Sequence, residues 1–84
     1  MQTKTADQIA AQLFAFAGAG IKPEVVEARY RNAADDMRKV AVKAAASRSG
    51  KFRGYTAEHA TRMAEQNDRL ASEVPAAIRR LLSA

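Results

Sequence analysis

The sequence contains no cysteine and no tryptophan, and its single histidine is His59. Without cysteine there is no disulfide framework, no thiolate zinc site and no cysteine nucleophile. His59 has no companion ligand at metal-binding spacing, so we expect neither a metal nor a cofactor. Long apolar runs are also missing, since none approaches the roughly 20 residues that a membrane-spanning helix requires. The composition therefore directs attention to binding rather than to redox, metal or membrane chemistry.

Bulky apolar residues are scarce as well. Hydrophobic residues make up 48% of the 84-residue chain, but 20 of them are alanine, and Leu, Ile, Val and Phe together number only 15. Alanine is the strongest helix former, and a net charge of +5 is modest. We therefore expect one ordered helical domain over residues 1–84 with a thin core. A homodimer is expected too, because a second copy supplies burial that a thin core lacks.

The stretch from Ile9 to Ile21 is mostly apolar, as the core of a secretory signal peptide is. Asp7 lies beside the stretch, and Gln8 and Gln12 interrupt the surrounding apolar pattern. These polar residues disfavour export, so a cytoplasmic location is the expectation.

Two helices are predicted before residue 47. Thr5 begins the first as an N-cap, with Gln8 completing a capping box, and Gly18 ends it. Its predicted apolar face comprises Ile9, Leu13 and Phe16, widened by Ala10 and Phe14. The second helix is predicted from Pro23 to Ala46. Its apolar residues recur at alternating spacings of four and three, forming a seam for the core or for self-association that comprises Val26, Tyr30, Ala33, Met37, Val40 and Ala44.

The segment from Thr56 to Leu82 carries a further helical pattern. Thr56 is the predicted N-cap, and the apolar stripe comprises Ala60, Met63, Asn67, Leu70, Val74, Ala77 or Ile78, and Leu81. Pro75 implies either a kink or a break with Ser72 capping a short fourth helix, and the break is favoured. The predicted fold is thus all-α, a small bundle of three or four helices built on a long helical hairpin.

One stretch of the chain is basic without any acidic residue. Between Met37 and Glu58 lie six cations and no carboxylate, and the centre of the stretch reads SRSGKFRGY. Some of these cations, like those in other parts of the chain, are expected to pair with acids four residues earlier: Glu27 with Arg31, Asp35 with Lys39, Glu58 with Arg62, and Glu65 with Arg69. Arg38 is expected to share Asp35 at a spacing of three residues. The remaining candidates for binding are Lys43, Arg48, Lys51, Phe52, Arg53 and Tyr55, joined by Arg79 and Arg80 if the last segment packs back toward the loop.

Three interpretations of this glycine-flanked loop remain open: a solvated helix end, a nucleic-acid contact, and recognition of an acidic protein surface. No RNP, zinc-finger or KH motif accompanies it. A helix-turn-helix over Gln8 to Arg29 fits poorly, because the turn is too long and the second helix far too long. The charged residues show no convergent acid–base pair, so the chain is not expected to be an enzyme.

The leading hypothesis is a small regulatory or accessory protein that binds nucleic acid through the basic loop and the adjoining helix. The alternative is a helical protein-binding module, such as an adaptor or an inhibitor of a larger machine, encoded by a phage or plasmid. In that case the same cations would dock on an acidic or nucleic-acid-binding protein surface.

Overall fold

Three helices and one short β-hairpin form the fold in the computed structural model, which describes residues 4–84. In chain order the elements are α1 (Ala6–Ala17), a 3₁₀ turn (Gly18–Gly20), α2 (Pro23–Ala46), β1 (Lys51–Phe52), β2 (Tyr55–Thr56) and α3 (Ala57–Ser83). The prediction of a mainly helical protein is confirmed. The hairpin between α2 and α3 was not predicted.

Helix α1 begins as the sequence indicated. The backbone N–H of Gln8 donates to the Thr5 hydroxyl at 3.2 Å, and the Thr5 N–H donates to the Gln8 side chain at 2.9 Å, which is a complete capping box. The predicted apolar face is wrong at Phe16, which is 94% exposed. The buried centre is instead Ala10, and Phe16 lies about 120° around the helix from it at 3.6 residues per turn, outside the contact with α3.

Helix α2 has the predicted bounds, and α3 packs along it in the antiparallel direction. In the seam, Val40 and Ala44 are buried and the other four residues are half-buried. Ala34, which the seam did not include, is fully buried. The long seam therefore already has a partner within the chain.

Helix α3 is continuous, so the favoured break at Pro75 is wrong. The proline ring is among the most completely buried side chains, beside Val74 and Ile78, which are both 0% exposed. Fully burying one aliphatic side chain contributes about 1.5–3 kcal/mol. The burial of Val74 and Ile78 therefore offsets the roughly 3 kcal/mol that an interior proline costs.

The core lies where α1 packs against the helix pair formed by α2 and α3. Ala10, Val74, Ala77 and Ile78 form its buried cluster, with Val26 and Tyr30 of α2 packed against it. Ten hydrophobic residues are buried in the described chain, and seven of them are alanine. The expectation of a thin core is therefore confirmed for residues 4–84.

The ion pairs of the helices differ in part from those expected from the sequence. Arg38 bridges Asp35 on its own helix and Asp68 on α3. The expected contact of Arg38 with Asp35 is therefore present, whereas the expected pairing of Asp35 with Lys39 is wrong. Arg69 likewise pairs with Glu73 at 4.0 Å rather than with Glu65, whereas the expected pairs Glu27–Arg31 and Glu58–Arg62 are present.

Candidate functional site

The predicted basic loop is an ordered hairpin. Lys51 pairs with Thr56 and Phe52 with Tyr55 in an antiparallel register, which leaves a two-residue turn at Arg53 and Gly54. The φ angles of these two residues are 53° and 81°. Positive φ at both central residues identifies a type I′ turn, whose twist matches that of paired strands. Among the described residues other than glycine, only Arg53 has a positive φ.

Serine side chains organise the chain between α2 and the hairpin. The N–H of Gly50 donates to the carbonyl of Ser47 at 3.1 Å, closing a turn in which Gly50 has a φ of 73°. The hydroxyls of Ser47 and Ser49 are hydrogen-bonded at 3.0 Å, and the Lys51 N–H donates to the Ser49 hydroxyl at 3.3 Å. The cations in this segment are therefore carried by a hydrogen-bonded backbone.

The hairpin packs against the last turns of α2. Phe52 and Tyr55 are directly opposite each other, so both lie on the face toward α2, where they line a groove with Met37 and Val40. Lys51 lies on the other face, because successive strand residues alternate. The two strands thus carry aromatic residues inward and a cation outward.

Two cations are held beside the Phe52 ring. The Lys43 Nζ lies 5.1 Å from the ring centroid and the Arg53 guanidinium carbon 5.4 Å from it, both within cation–π range. On the second strand, Tyr55 stacks on His59 with ring centroids 5.2 Å apart. Thr56 then caps α3 by accepting a hydrogen bond from the His59 N–H at 3.1 Å, as predicted. The hairpin is therefore fastened to both long helices.

We call this region the basic hairpin end. It comprises Lys39, Lys43, Arg48, Lys51 and Arg53, together with Phe52 and Tyr55. Within the described residues, none of the five cations has a carboxylate oxygen within 4.0 Å. The sequence pattern does not single out Lys39, because Asp35 lies four residues before it; in the structure Asp35 pairs with Arg38, the residue expected to share it. One acid, Asp36, lines the same groove as Lys39 and Lys43.

The structure does not bring Arg79 and Arg80 to the basic hairpin end. Because α3 is continuous, its rise of 1.5 Å per residue puts Arg79 about 33 Å from Ala57. Arg80 also pairs with Asp7 of α1 at 2.9 Å. Arg79 and Arg80 therefore do not belong to the basic hairpin end.

Asn67, the polar residue in the predicted apolar stripe of α3, forms a hydrogen bond within its own helix. Its side-chain nitrogen donates to the carbonyl of Met63 at 3.0 Å. Helix α1 packs on α3 rather than along α2, unlike the paired helices of a helix-turn-helix.

Over residues 4–84 there is no cluster of three metal-ligating side chains. No helix in that same range is long and apolar enough to cross a membrane.

Comparison with known proteins identified no relative. No protein-family model matches the sequence, and no curated protein or solved structure matches it significantly.

Proposed function

We propose that this chain is a small, non-enzymatic regulatory or accessory protein that binds nucleic acid through its basic hairpin end. The observation that carries the proposal is the grouping of five cations around an ordered hairpin at one end of the α2–α3 pair, none of them with a carboxylate partner among residues 4–84. Phosphate contacts by lysine and arginine supply most of the free energy of sequence-independent nucleic-acid binding. In this proposal the helices form a small bundle that holds the hairpin away from the rest of the chain.

Attraction to phosphates is favoured over stacking on bases. The Phe52 ring is half-buried in the groove, and Lys43 and Arg53 lie over it. A ring placed in this way offers little free surface to a base, but it keeps two cations close together. We therefore propose that duplex backbone is bound at least as well as a single strand.

A salt titration tests the proposal. Replacing Lys51 with Ala and Arg53 with Asn should weaken duplex binding and flatten the plot of log affinity against log salt by up to about 1.8 units, at roughly 0.9 per lost phosphate contact. The matched control replaces Arg62 and Arg69 with Ala. This control also removes two positive charges, but from α3, where both arginines are paired with glutamates.

The affinity for single strands distinguishes phosphate attraction from base stacking. Phe52→Ala should change single-strand affinity little if phosphates dominate, whereas loss of a stacking contact weakens it by about 1–3 kcal/mol. If the purified protein binds no nucleic acid even at low salt, the proposal fails.

The rival function is docking of the same cations on an acidic protein surface. A pull-down from source-cell lysate, with and without nuclease, distinguishes the two functions. Protein partners that persist after nuclease treatment would favour the rival. Both functions are proposed for a cytoplasmic protein that acts as a homodimer.

A further inference from the structure

The end of the molecule opposite the basic hairpin carries an apolar groove. The groove lies between the last turn of α1 and the first turns of α2, and Leu13, Phe16, Ile21, Val25 and Val26 contribute its apolar lining. Phe16 is 94% exposed and Val25 is 43% exposed. In a chain with few bulky apolar residues, leaving a phenylalanine in solvent forgoes burial worth about 1.5–3 kcal/mol. This cost points to a surface that is covered in a complex.

Both charged residues that line the groove are basic. Lys22 and Arg29 lie at its rim, and no carboxylate is among its lining residues. Within residues 4–84, neither cation has a carboxylate oxygen within 4.0 Å. The nearby acid Glu27 is paired with Arg31 at 3.1 Å. An occupant with acidic groups beside an apolar anchor would complement this arrangement.

We propose that this groove binds an acidic segment of another protein, with an aliphatic or aromatic side chain of that segment inserted against Phe16. The segment's carboxylates would lie against Lys22 and Arg29. The inference is independent of nucleic-acid binding, since it concerns residues at the other end of α2, a helix about 36 Å long. A protein with both surfaces would act as an adaptor that links an acidic protein to a nucleic acid.

Two other occupants fit less well. A two-fold contact of the groove with itself would bring four cations, Lys22 and Arg29 of both copies, into one interface whose lining holds no carboxylate, which is unfavourable. A bilayer surface has no protruding side chain to fill a groove between two helices. A partner segment with an apolar anchor meets both requirements.

Selection from a display library of random peptides tests the proposal. The library is depleted on the Phe16→Asp variant and then enriched on the wild-type protein. We expect enriched peptides to carry acidic residues beside a large apolar residue. The absence of enrichment, or enrichment without acidic bias, would overturn the proposal.

Variants then locate the binding site of a selected peptide. Phe16→Asp, and the double change Lys22→Glu with Arg29→Glu, should each weaken binding by about tenfold or more, as loss of an anchor or of a facing charge does. Val42→Asp is the matched control, because Val42 is 69% exposed on α2 and does not line the groove. It should leave affinity within about twofold of wild type, as should Lys51→Ala with Arg53→Asn.

Other readouts identify a wrong occupant. Because Phe16, Lys22 and Arg29 are all exposed, the variants should retain the wild-type helical circular dichroism. If Phe16→Asp lowers the sedimentation mass, the groove is a contact between copies. If it abolishes binding to anionic vesicles, the groove is a membrane contact. If Lys22→Glu with Arg29→Glu weakens oligonucleotide binding instead of peptide binding, these cations belong to a nucleic-acid surface. Each of these results would overturn the proposal.

Discussion

Arg53 combines an unfavourable backbone conformation with a position at the tip of the basic hairpin end. Its φ of 53° lies in the left-handed region, which costs a residue with a Cβ about 1–2 kcal/mol. Type I′ turns ordinarily place asparagine, aspartate or glycine at this position. An arginine there gives up conformational free energy to present a guanidinium at the end of the molecule. Strain of this kind is often found where a residue contacts a ligand.

Replacing Arg53 with Asn and with Ala separates backbone strain from charge. Both changes remove the cation and its contact with Phe52, but asparagine tolerates a left-handed conformation and alanine does not. We expect the Asn variant to be more stable than the Ala variant by about 1 kcal/mol. Urea denaturation followed by circular dichroism measures the difference. Equal stability of the two would show that the turn contributes nothing to folding or that the strain is absent.

At the scale of the secondary-structure element, α3 shows how burial overrides a local preference. Pro75 lacks the N–H that would donate to Ala71, yet the helix runs unbroken from Ala57 to Ser83. In this helix Val74, Pro75 and Ile78 are all fully buried, and Val74 and Ile78 belong to the core cluster that residues of α1 and α2 cover. A proline that local rules place at a helix start is thus kept in the interior by its neighbours.

Pro75→Ala should therefore stabilise the protein. Alanine removes the roughly 3 kcal/mol that proline costs in a helix interior and loses about two buried methylene groups, worth about 0.8 kcal/mol each. The expected gain in free energy of unfolding is about 1 kcal/mol, measured by urea denaturation. A lower denaturation midpoint would show that the ring's packing outweighs its backbone cost.

At the scale of the whole molecule, the chain is elongated, with dimensions of 51 × 26 × 17 Å and a distinct surface at each end. The basic hairpin end lies at the C-terminal end of α2, and the apolar groove lies at its N-terminal end. Between them the seam residues are covered by α3, so the thin core, and not the seam, favours a homodimer. Seven alanines among the ten buried hydrophobic residues of the described range 4–84 provide little apolar area for a protein of this length.

The homodimer proposal predicts that stability depends on protein concentration. For a dimer that unfolds to monomers, each tenfold rise in concentration adds about 1.4 kcal/mol to the apparent free energy of unfolding. Urea titrations at micromolar and at hundredfold higher concentration measure this change, and sedimentation equilibrium gives the mass directly. An unchanged midpoint together with a monomeric mass would exclude the dimer.

The sequence determined the features that depend on neighbouring residues. Thr5 with Gln8 and Thr56 with the His59 N–H form the predicted caps, because capping joins residues three apart. The bounds of α2 followed from Pro23 and a periodic apolar pattern. The run of cations without acids was also visible, since it requires only the order of residues. These features hold wherever the rest of the chain goes.

Tertiary structure decided the features in which distant segments compete. The Arg38 guanidinium pairs with both Asp35 and Asp68 of α3, which leaves Lys39 in the basic hairpin end. The hairpin at Arg53 and Gly54 lacks the usual turn residue and becomes ordered against α2 and α3. Phe16 was left exposed and Pro75 was kept helical by the way α1 crosses α3. Each of these outcomes depends on how segments far apart in sequence pack together, which a local pattern does not reveal.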